Sequence, residues 1–293
     1  MRVLLTGASG FIGSHVLRAL QQHGIETVVV GRSQPHASVE FINADLLSIS
    51  DFTPLLHQAR ATHLLHLAWY AEHGKYWTSP LNFRWAEATT RLVEAFCIVG
   101  GQHVVITGTC AEYDWTYGYC REETTPLNPA TLYGAAKDAT RRLSMAVCAQ
   151  YQVPCAWGRV FLPFGHGESS NRLIPSLMEV FRGDRAPFGV NANAYRDFLH
   201  VSDVAQGLIR LMSQGASGAY NVSSAESTRL ADIVITLASL LKVDPAPVLT
   251  LTTERATGPA MLVGESLKLK TLGWRPALTL VQGLELSLRE GGL

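Results

Sequence analysis

The sequence lacks an excess of either charge: Lys plus Arg and Asp plus Glu number 24 each. That balance excludes the basic surface of a nucleic-acid-binding protein or of one built for anionic membranes. No apolar run approaches the roughly 20 residues that cross a bilayer, and residues 2–6 read as a core strand rather than as a secretion leader. Cysteine is sparse, with residues 97, 110, 120, 148 and 155 forming an odd set without CxxC spacing. This argues against a disulfide framework and leaves reduced thiols, so a cytoplasmic location is expected. Internal repeats and low-complexity tracts are absent too. Against these absences stand an apolar fraction of 47% and a length of 293 residues, enough for a large core and more than one lobe.

What is present starts at once. Arg2 to Thr6 reads as an apolar strand, and Gly7, Gly10 and Gly13 follow as GxxGxxG. His15 to His23 carries Val16, Leu17 and Leu20 at helical intervals, Gly24 closes that helix, and Thr27 to Val30 is a second strand. Glycines alone also mark ordinary turns. Between strand and helix in a βαβ unit they point to a dinucleotide: Gly7 for the turn, Gly10 for close approach of a pyrophosphate, Gly13 for helix–strand packing. An acid after the second strand would bind the ribose 2′-OH of NAD. This chain has Gly31-Arg32-Ser33 instead, which suits a 2′-phosphate and predicts NADP(H), a plain turn with a solvated Arg being the alternative.

Further strands are expected at Val39–Asn43, His63–Leu67, His103–Thr107, Val153–Phe161 and Gly218–Val222, and helices over 50–60, 81–99, 133–150 and 228–241. This alternation predicts an α/β fold, a doubly wound parallel Rossmann sheet with a smaller C-terminal lobe for substrate. Residues 1–164 plus 198–223 would form the cofactor domain, and 165–197 plus 224–293 the substrate lobe, with ligands at the carboxyl ends of the strands. Tyr133 and Lys137 form YxxxK on one helical face after a strand that leads into Thr109. Hydride transfer to a carbonyl needs an acid for the developing alkoxide. Tyr133 could supply it if its pKa, normally about 10, falls, and Lys137 offers the charge to lower it.

The GxxGxxG turn near residue 1, His66-Leu67-Ala68-Trp69, YxxxK and the stretch Tyr195-Arg196-Asp197-Phe198-Leu199-His200-Val201-Ser202-Asp203-Val204 together resemble the extended short-chain dehydrogenase/reductase family along the whole chain. Its members act mainly on nucleotide sugars. The resemblance implies an oxidoreductase acting on a CH-OH or keto group, most like reductases of nucleotide-linked 4-keto-6-deoxyhexoses. It implies that Thr109 bonds the substrate oxygen and that Lys137 also holds the nicotinamide ribose. It sets the dinucleotide against Gly7, Ser9, Gly10, Phe11, Ile12, Gly13, Arg32, Ser33, Asp45, Leu46, Leu67, Ala68, Thr107, Tyr133, Lys137 and Phe161. For Asp45 a helix-capping role is the alternative. A nucleotide-diphosphate sugar would meet Cys110, Ala111, Asn171, Arg172, Arg196 and Arg255, no metal being assigned. His200, Asp203 and Arg275 read as structural, Asp203 starting a helix through Leu211. The aromatic loop Tyr70–Pro80, with Tyr76 and Trp77, either lines a sugar site or covers the core.

Departures from the family pattern narrow the chemistry. Its usual Asn is Trp85 here, which puts the local network around that Asn in doubt. Dehydratases of the family have Asp-Glu after the Thr, where this chain has Cys110-Ala111. Ala111 and Arg172 replace the Cys and His of an epimerase-reductase, although Cys110 could still face the site. A reductase is therefore expected, with a 4-epimerase retaining NAD or a non-catalytic NADP-binding regulator as alternatives. A homodimer through the helices near 81–99 and 133–150 is expected, their alanines allowing close packing that core packing explains equally well.

Overall fold

A computed structural model describes residues 1–35, 37–251 and 258–291. Its first half alternates β1 (Arg2–Thr6), α1 (Phe11–Gln22), β2 (Glu26–Gly31), β3 (Glu40–Asn43), α2 (Thr53–Ala59), β4 (His63–His66), α3 (Leu81–Ile98) and β5 (His103–Thr109). Two 3-10 turns, Cys110–Glu112 and Trp115–Tyr117, lead to β6 (Tyr119–Cys120), α4 (Leu132–Gln150), β7 (Cys155–Val160), β8 (Leu162–Phe164) and α5 (Leu173–Arg182). After these come β9 (Tyr195–Arg196), β10 (Phe198–His200), α6 (Val201–Ser213), β11 (Gly218–Val222), β12 (Thr228–Arg229), α7 (Leu230–Leu241) and α8 (Ala246–Leu249). β13 (Met261–Gly264), α9 (Leu267–Thr271) and α10 (Leu280–Glu290) complete the described chain.

Seven strands form one sheet in the order β11-β7-β5-β4-β1-β2-β3, and every pair in it is parallel. The reason is visible in β1. Val3 and Leu5 enter one core with Val16 and Leu20 of α1 and Leu208 of α6, while Leu4 enters the other with Leu92 and Phe96 of α3. Alternate side chains point to opposite faces, and both faces are covered, so the strand must be apolar throughout. Each such fully buried Val or Leu contributes about 1.5–3 kcal/mol. A third core joins Phe164, Leu177, Ile233, Leu237 and Leu284. Among the described residues no helix is long and apolar enough to cross a membrane.

Three local expectations shift. α1 starts at Phe11 rather than near His15, because the glycine turn runs straight into it with Gly10 as N-cap. α2 is shorter than 50–60: Asp51 Oδ1 accepts Thr53 N–H at 2.9 Å, a proline sits in the first turn, and Arg60 ends the helix at φ 48°. Asp203 does not start α6. His200 caps that helix by accepting Ser202 N–H, whereas the Asp203 carboxylate accepts the N–H groups of Ala277 and Leu278, 74 residues and more downstream.

Candidate active site

A cavity of about 600 Å³ opens at the carboxyl ends of β1, β2, β4, β5 and β7. Its floor is the glycine turn. Gly7 takes φ +76°, and a Cβ there would lie 2.7 Å from Ala68 N; a Cβ on Gly13 would lie 1.9 Å from Gly7 O. No side chain caps α1, so the first-turn amides that a Ser or Asp would ordinarily satisfy are left for a ligand. A close backbone cradle with uncapped amides fits the pyrophosphate of a dinucleotide. Beside it His66 is buried between Thr6 Oγ1 (2.8 Å) and Thr89 Oγ1 (2.9 Å), and burial pulls its pKa down to about 3. Thr6 Oγ1 in turn accepts Ala68 N–H, which fixes the wall segment Leu67-Ala68. Arg32 and Ser33 line the far rim, both exposed. Asp45 Oδ1 accepts Leu47 N–H at 3.1 Å, an Asx turn rather than a helix cap, and Asp45 and Leu46 line the cavity.

At the other end Thr109, Tyr133 and Lys137 meet in the cavity wall. Thr131 Oγ1 caps α4 by accepting Gly134 N–H, and Tyr133 N–H donates to Trp77 O at 3.1 Å, so the loop and helix fix each other. Lys137, one turn along, donates through Nζ to Thr107 O at 2.8 Å and lies 3.9 Å from the ring centre of Trp69. Burial brings Lys137 down to about 7, opposed by the charge of Glu112. Burial raises Tyr133 above its ordinary value; Tyr76 adds to this and a hydrogen bond with Thr109 opposes it. The expectation that Lys137 would lower Tyr133 is thus corrected: the ammonium is directed to the Thr107 carbonyl and the Trp69 face, and the lowering contribution comes from Thr109.

A buried polar assembly underlies Thr109, and sequence reasoning missed it. Glu112 Oε1 accepts Thr109 N–H and Trp157 Nε1–H, both at 2.8 Å, while Oε2 accepts Arg159 Nε–H at 2.7 Å. Arg159 also donates to Tyr113 Oη at 3.0 Å, and that hydroxyl donates to Asn221 Oδ1 at 2.8 Å. The Glu112 and Arg159 side chains are 0% and 1% exposed. Thr109 and Glu112 form a capping box, and the T-x-x-E spacing was the available signal.

The side of the cavity remote from the phosphate turn is aromatic, lined by Trp69, Tyr76, Trp77, Trp85 and Trp115. Trp85 stacks on Trp69 at 6.3 Å, so the position of the family's Asn holds an aromatic support for the platform under Lys137. Tyr76 and Trp77 therefore line the site rather than merely covering the core. Of the expected substrate contacts, Cys110, Arg172 and Arg196 reach the cavity. Ala111 does not: it is 3% exposed, its carbonyl turned against Gly134 of α4. Asn171 is exposed just before α5 and does not line it either. Arg255 lies outside the described residues. Arg172 pairs with Glu168 at 2.8 Å. Arg196 is carried on β9 next to Asp197, whose buried carboxylate accepts Ser224 N–H, Ser224 Oγ–H, Ala225 N–H and Gly264 N–H. Burial pushes the Cys110 thiol up to about 12.

Residues 3–223 match the model of the NAD dependent epimerase/dehydratase family. Among curated proteins, the chain is 25% identical over 306 residues to the trifunctional UDP-glucose 4,6-dehydratase/UDP-4-keto-6-deoxy-D-glucose 3,5-epimerase/UDP-4-keto-L-rhamnose-reductase RHM1 of Arabidopsis thaliana, covering 97% of this chain and 46% of that protein. The chain thus spans about half the length of the first curated relatives it matches. It is 25% identical over 313 residues to UDP-glucose 4-epimerase of Streptomyces lividans, covering 94% of this chain and 92% of that one. Among solved structures, MoeE5 in complex with UDP-glucose and NAD superposes with a TM-score of 0.87 at 27% identity, covering 99% and 98% of the two chains. UDP-glucose 4-epimerase of Thermus thermophilus in complex with NAD, at 24% identity and a TM-score of 0.84 over the whole of both chains, shows the same fold.

Proposed function

The chain belongs to the NAD dependent epimerase/dehydratase family, and on that premise we propose that it is an NADPH-dependent reductase of a nucleotide-linked 4-keto-6-deoxy sugar. The observation that carries this is subtractive: among the described residues no carboxylate lines the cavity beside Thr109, Tyr133 and Lys137, and the other titratable groups on that side are Cys110, Tyr76, which burial raises to about 12, and His73. Cys110 is held protonated by burial, and Ala111 is turned away. Epimerisation next to the keto carbon, or elimination of water, needs a second acid–base group; reduction does not.

The dinucleotide supplies the hydride when bound. The amides of Phe11, Ile12 and Gly13 would hold its pyrophosphate, Asp45 and Leu46 its adenine, and Arg32 with Ser33 its 2′-phosphate. Tyr133 Oη would give its proton to the carbonyl oxygen while the carbon takes the hydride that the bound dinucleotide would supply, so that C=O would become CH–OH. The Thr109 hydroxyl orients that oxygen, and Arg172 and Arg196 face the diphosphate of the substrate. In this reading 165–197 and 224–293 form the substrate lobe, and two copies pair through α3 and α4.

A panel of nucleotide-linked 4-keto-6-deoxy sugars assayed for NADPH oxidation in deuterated water tests the reaction. Stoichiometric oxidation without deuterium at the neighbouring carbons is expected. The second reading, a 4-epimerase retaining NAD, is favoured by the S. lividans relative and by the NAD in MoeE5. Tightly held NAD in the purified protein, together with interconversion of sugar nucleotides without added cofactor, would establish it.

A further inference from the structure

Resting on the assignment of this cavity to a nucleotide-sugar reductase, we propose that Tyr76, Trp77 and Trp115 determine its specificity. They form a wall that stacks on ring C–H groups and so selects deoxygenated sugars over fully hydroxylated ones. The wall stands at the reacting centre. The Tyr76 and Trp77 rings lie 4.8 and 5.8 Å from that of Tyr133, both edge-on, and Trp115 meets Trp77 edge-on at 6.1 Å. A sugar whose carbonyl reaches Tyr133 must lie along these rings.

The wall offers little to hydroxyl groups. Trp115 Nε1–H is already donated to Cys110 O at 2.9 Å, and Trp69 Nε1–H to Asn82 Oδ1 at 2.9 Å. Among the described residues, the cavity is lined by no Asn, Gln or Glu, and its single Asp, Asp45, stands at the β3 end. Planar amides and carboxylates are the side chains that hold neighbouring hydroxyls in pairs. Of the polar groups that remain, Thr109 and Tyr133 serve the carbonyl and Arg172 is paired with Glu168, which leaves Tyr76 Oη, Trp77 Nε1, His73 and Ser169 as single hydrogen-bonding groups rather than paired ones. A sugar hydroxyl entering here exchanges water for isolated single donors or acceptors instead of a bidentate partner, which is unfavourable. A deoxygenated face avoids that loss and gains contact with the aromatic rings.

The wall is fixed in place. Asn82, fully buried, donates to Tyr76 O at 2.7 Å and Ser79 O at 2.9 Å, and Trp77 O accepts Tyr133 N–H. The loop is tied to α3 and α4 before any sugar arrives, so little ordering entropy is lost on binding.

Calorimetric titration of the whole protein with UDP, UDP-glucose and UDP-6-deoxyglucose, and with the matching dTDP series, tests this. The 6-deoxy sugar should bind about tenfold more tightly than its parent hexose. Trp77→Leu and Trp115→Leu should each shrink that ratio to below about threefold with affinity for the bare nucleotide unchanged, and Trp77→Phe should retain it. If one Leu variant does not fold, the other carries the test. Equal or tighter binding of the hexose, or an unchanged ratio in a folded Leu variant, overturns the wall. A deoxy preference in binding without NADPH oxidation by any keto sugar leaves the wall standing and removes the reductase. NADPH oxidation equally fast with 6-hydroxy and 6-deoxy keto sugars does the reverse. Binding of neither nucleotide series overturns both.

Discussion

Lys137 and Trp69 form a cation–π pair at 3.9 Å, closed on its other side by the hydrogen bond from Lys137 Nζ to Thr107 O. A buried ammonium with one hydrogen-bond acceptor and an aromatic face is poorly compensated for lost water, which is why burial lowers Lys137 from 10.5 to about 7.

A pH dependence of stability follows. Between about 7 and 10.5 the unfolded chain holds a proton at Lys137 that the folded chain has released. Stability from this group is therefore full above about 10.5 and is lost as pH falls toward about 7, with a slope of at most about 1.4 kcal/mol per pH unit. Urea unfolding across this range should show the native protein gaining stability relative to Lys137→Met as pH rises. A pH-independent difference between the two would mean that Lys137 titrates at its ordinary value.

Tyr133 should remain a phenol, ready to donate, throughout the neutral range, because burial raises it above 10.0. Absorbance titration of the native protein minus Tyr133→Phe should show no tyrosinate from this residue below pH 10. The same substitution should lower kcat by roughly 100-fold or more, the usual scale for general acid catalysis, and leave dinucleotide affinity close to native. Near-native turnover would transfer the proton-donor role to another group.

Arg32→Ala addresses cofactor choice. Arg32 and Ser33 line the rim where an acid would select NAD. Native protein should bind NADP⁺ more tightly than NAD⁺, and the variant should lose roughly tenfold for NADP⁺ with little change for NAD⁺, as expected for one charge-assisted hydrogen bond. Equal native affinities would remove the preference.

Glu112→Gln tests the assembly under Thr109. It leaves the Arg159 guanidinium buried without its counter-charge, a loss of about 3–5 kcal/mol in comparable buried pairs. Adding Arg159→Met removes the stranded charge, so the double variant should recover a large part of that stability in thermal or urea unfolding. Additive losses in the double variant would show that the ion pair is not what couples the two residues.

What was legible in the sequence was what neighbours in the chain determine. β1, the glycine turn and α1 follow from period and spacing, and YxxxK places two side chains on one turn of α4. The two-residue strands β6, β9 and β12 carry no period to read. Glu112 and Arg159 are 47 residues apart and meet only because β5 and β7 pair in register. Asp203 looked like a cap from its own surroundings, yet its partners are Ala277 and Leu278. Asn171 and Ala111 match motif positions, but a single residue of rotation along a turn decides whether a side chain faces the cavity. In the sequence Trp85 is only a replacement of the family's Asn, since its stacking on Trp69 depends on α3 packing beside β4.

The buried set Glu112, Arg159, Tyr113 and Asn221 also constrains how this chain can diverge. Each member satisfies the polar atoms of the next, so a lone replacement leaves an orphaned group in the interior, whereas a concerted one need not. These four positions should therefore exchange as a block. A homologue that has lost the acid at 112 should also have replaced the base at 159, and the threonine matching Thr109 would then have to take its bearings from some other contact.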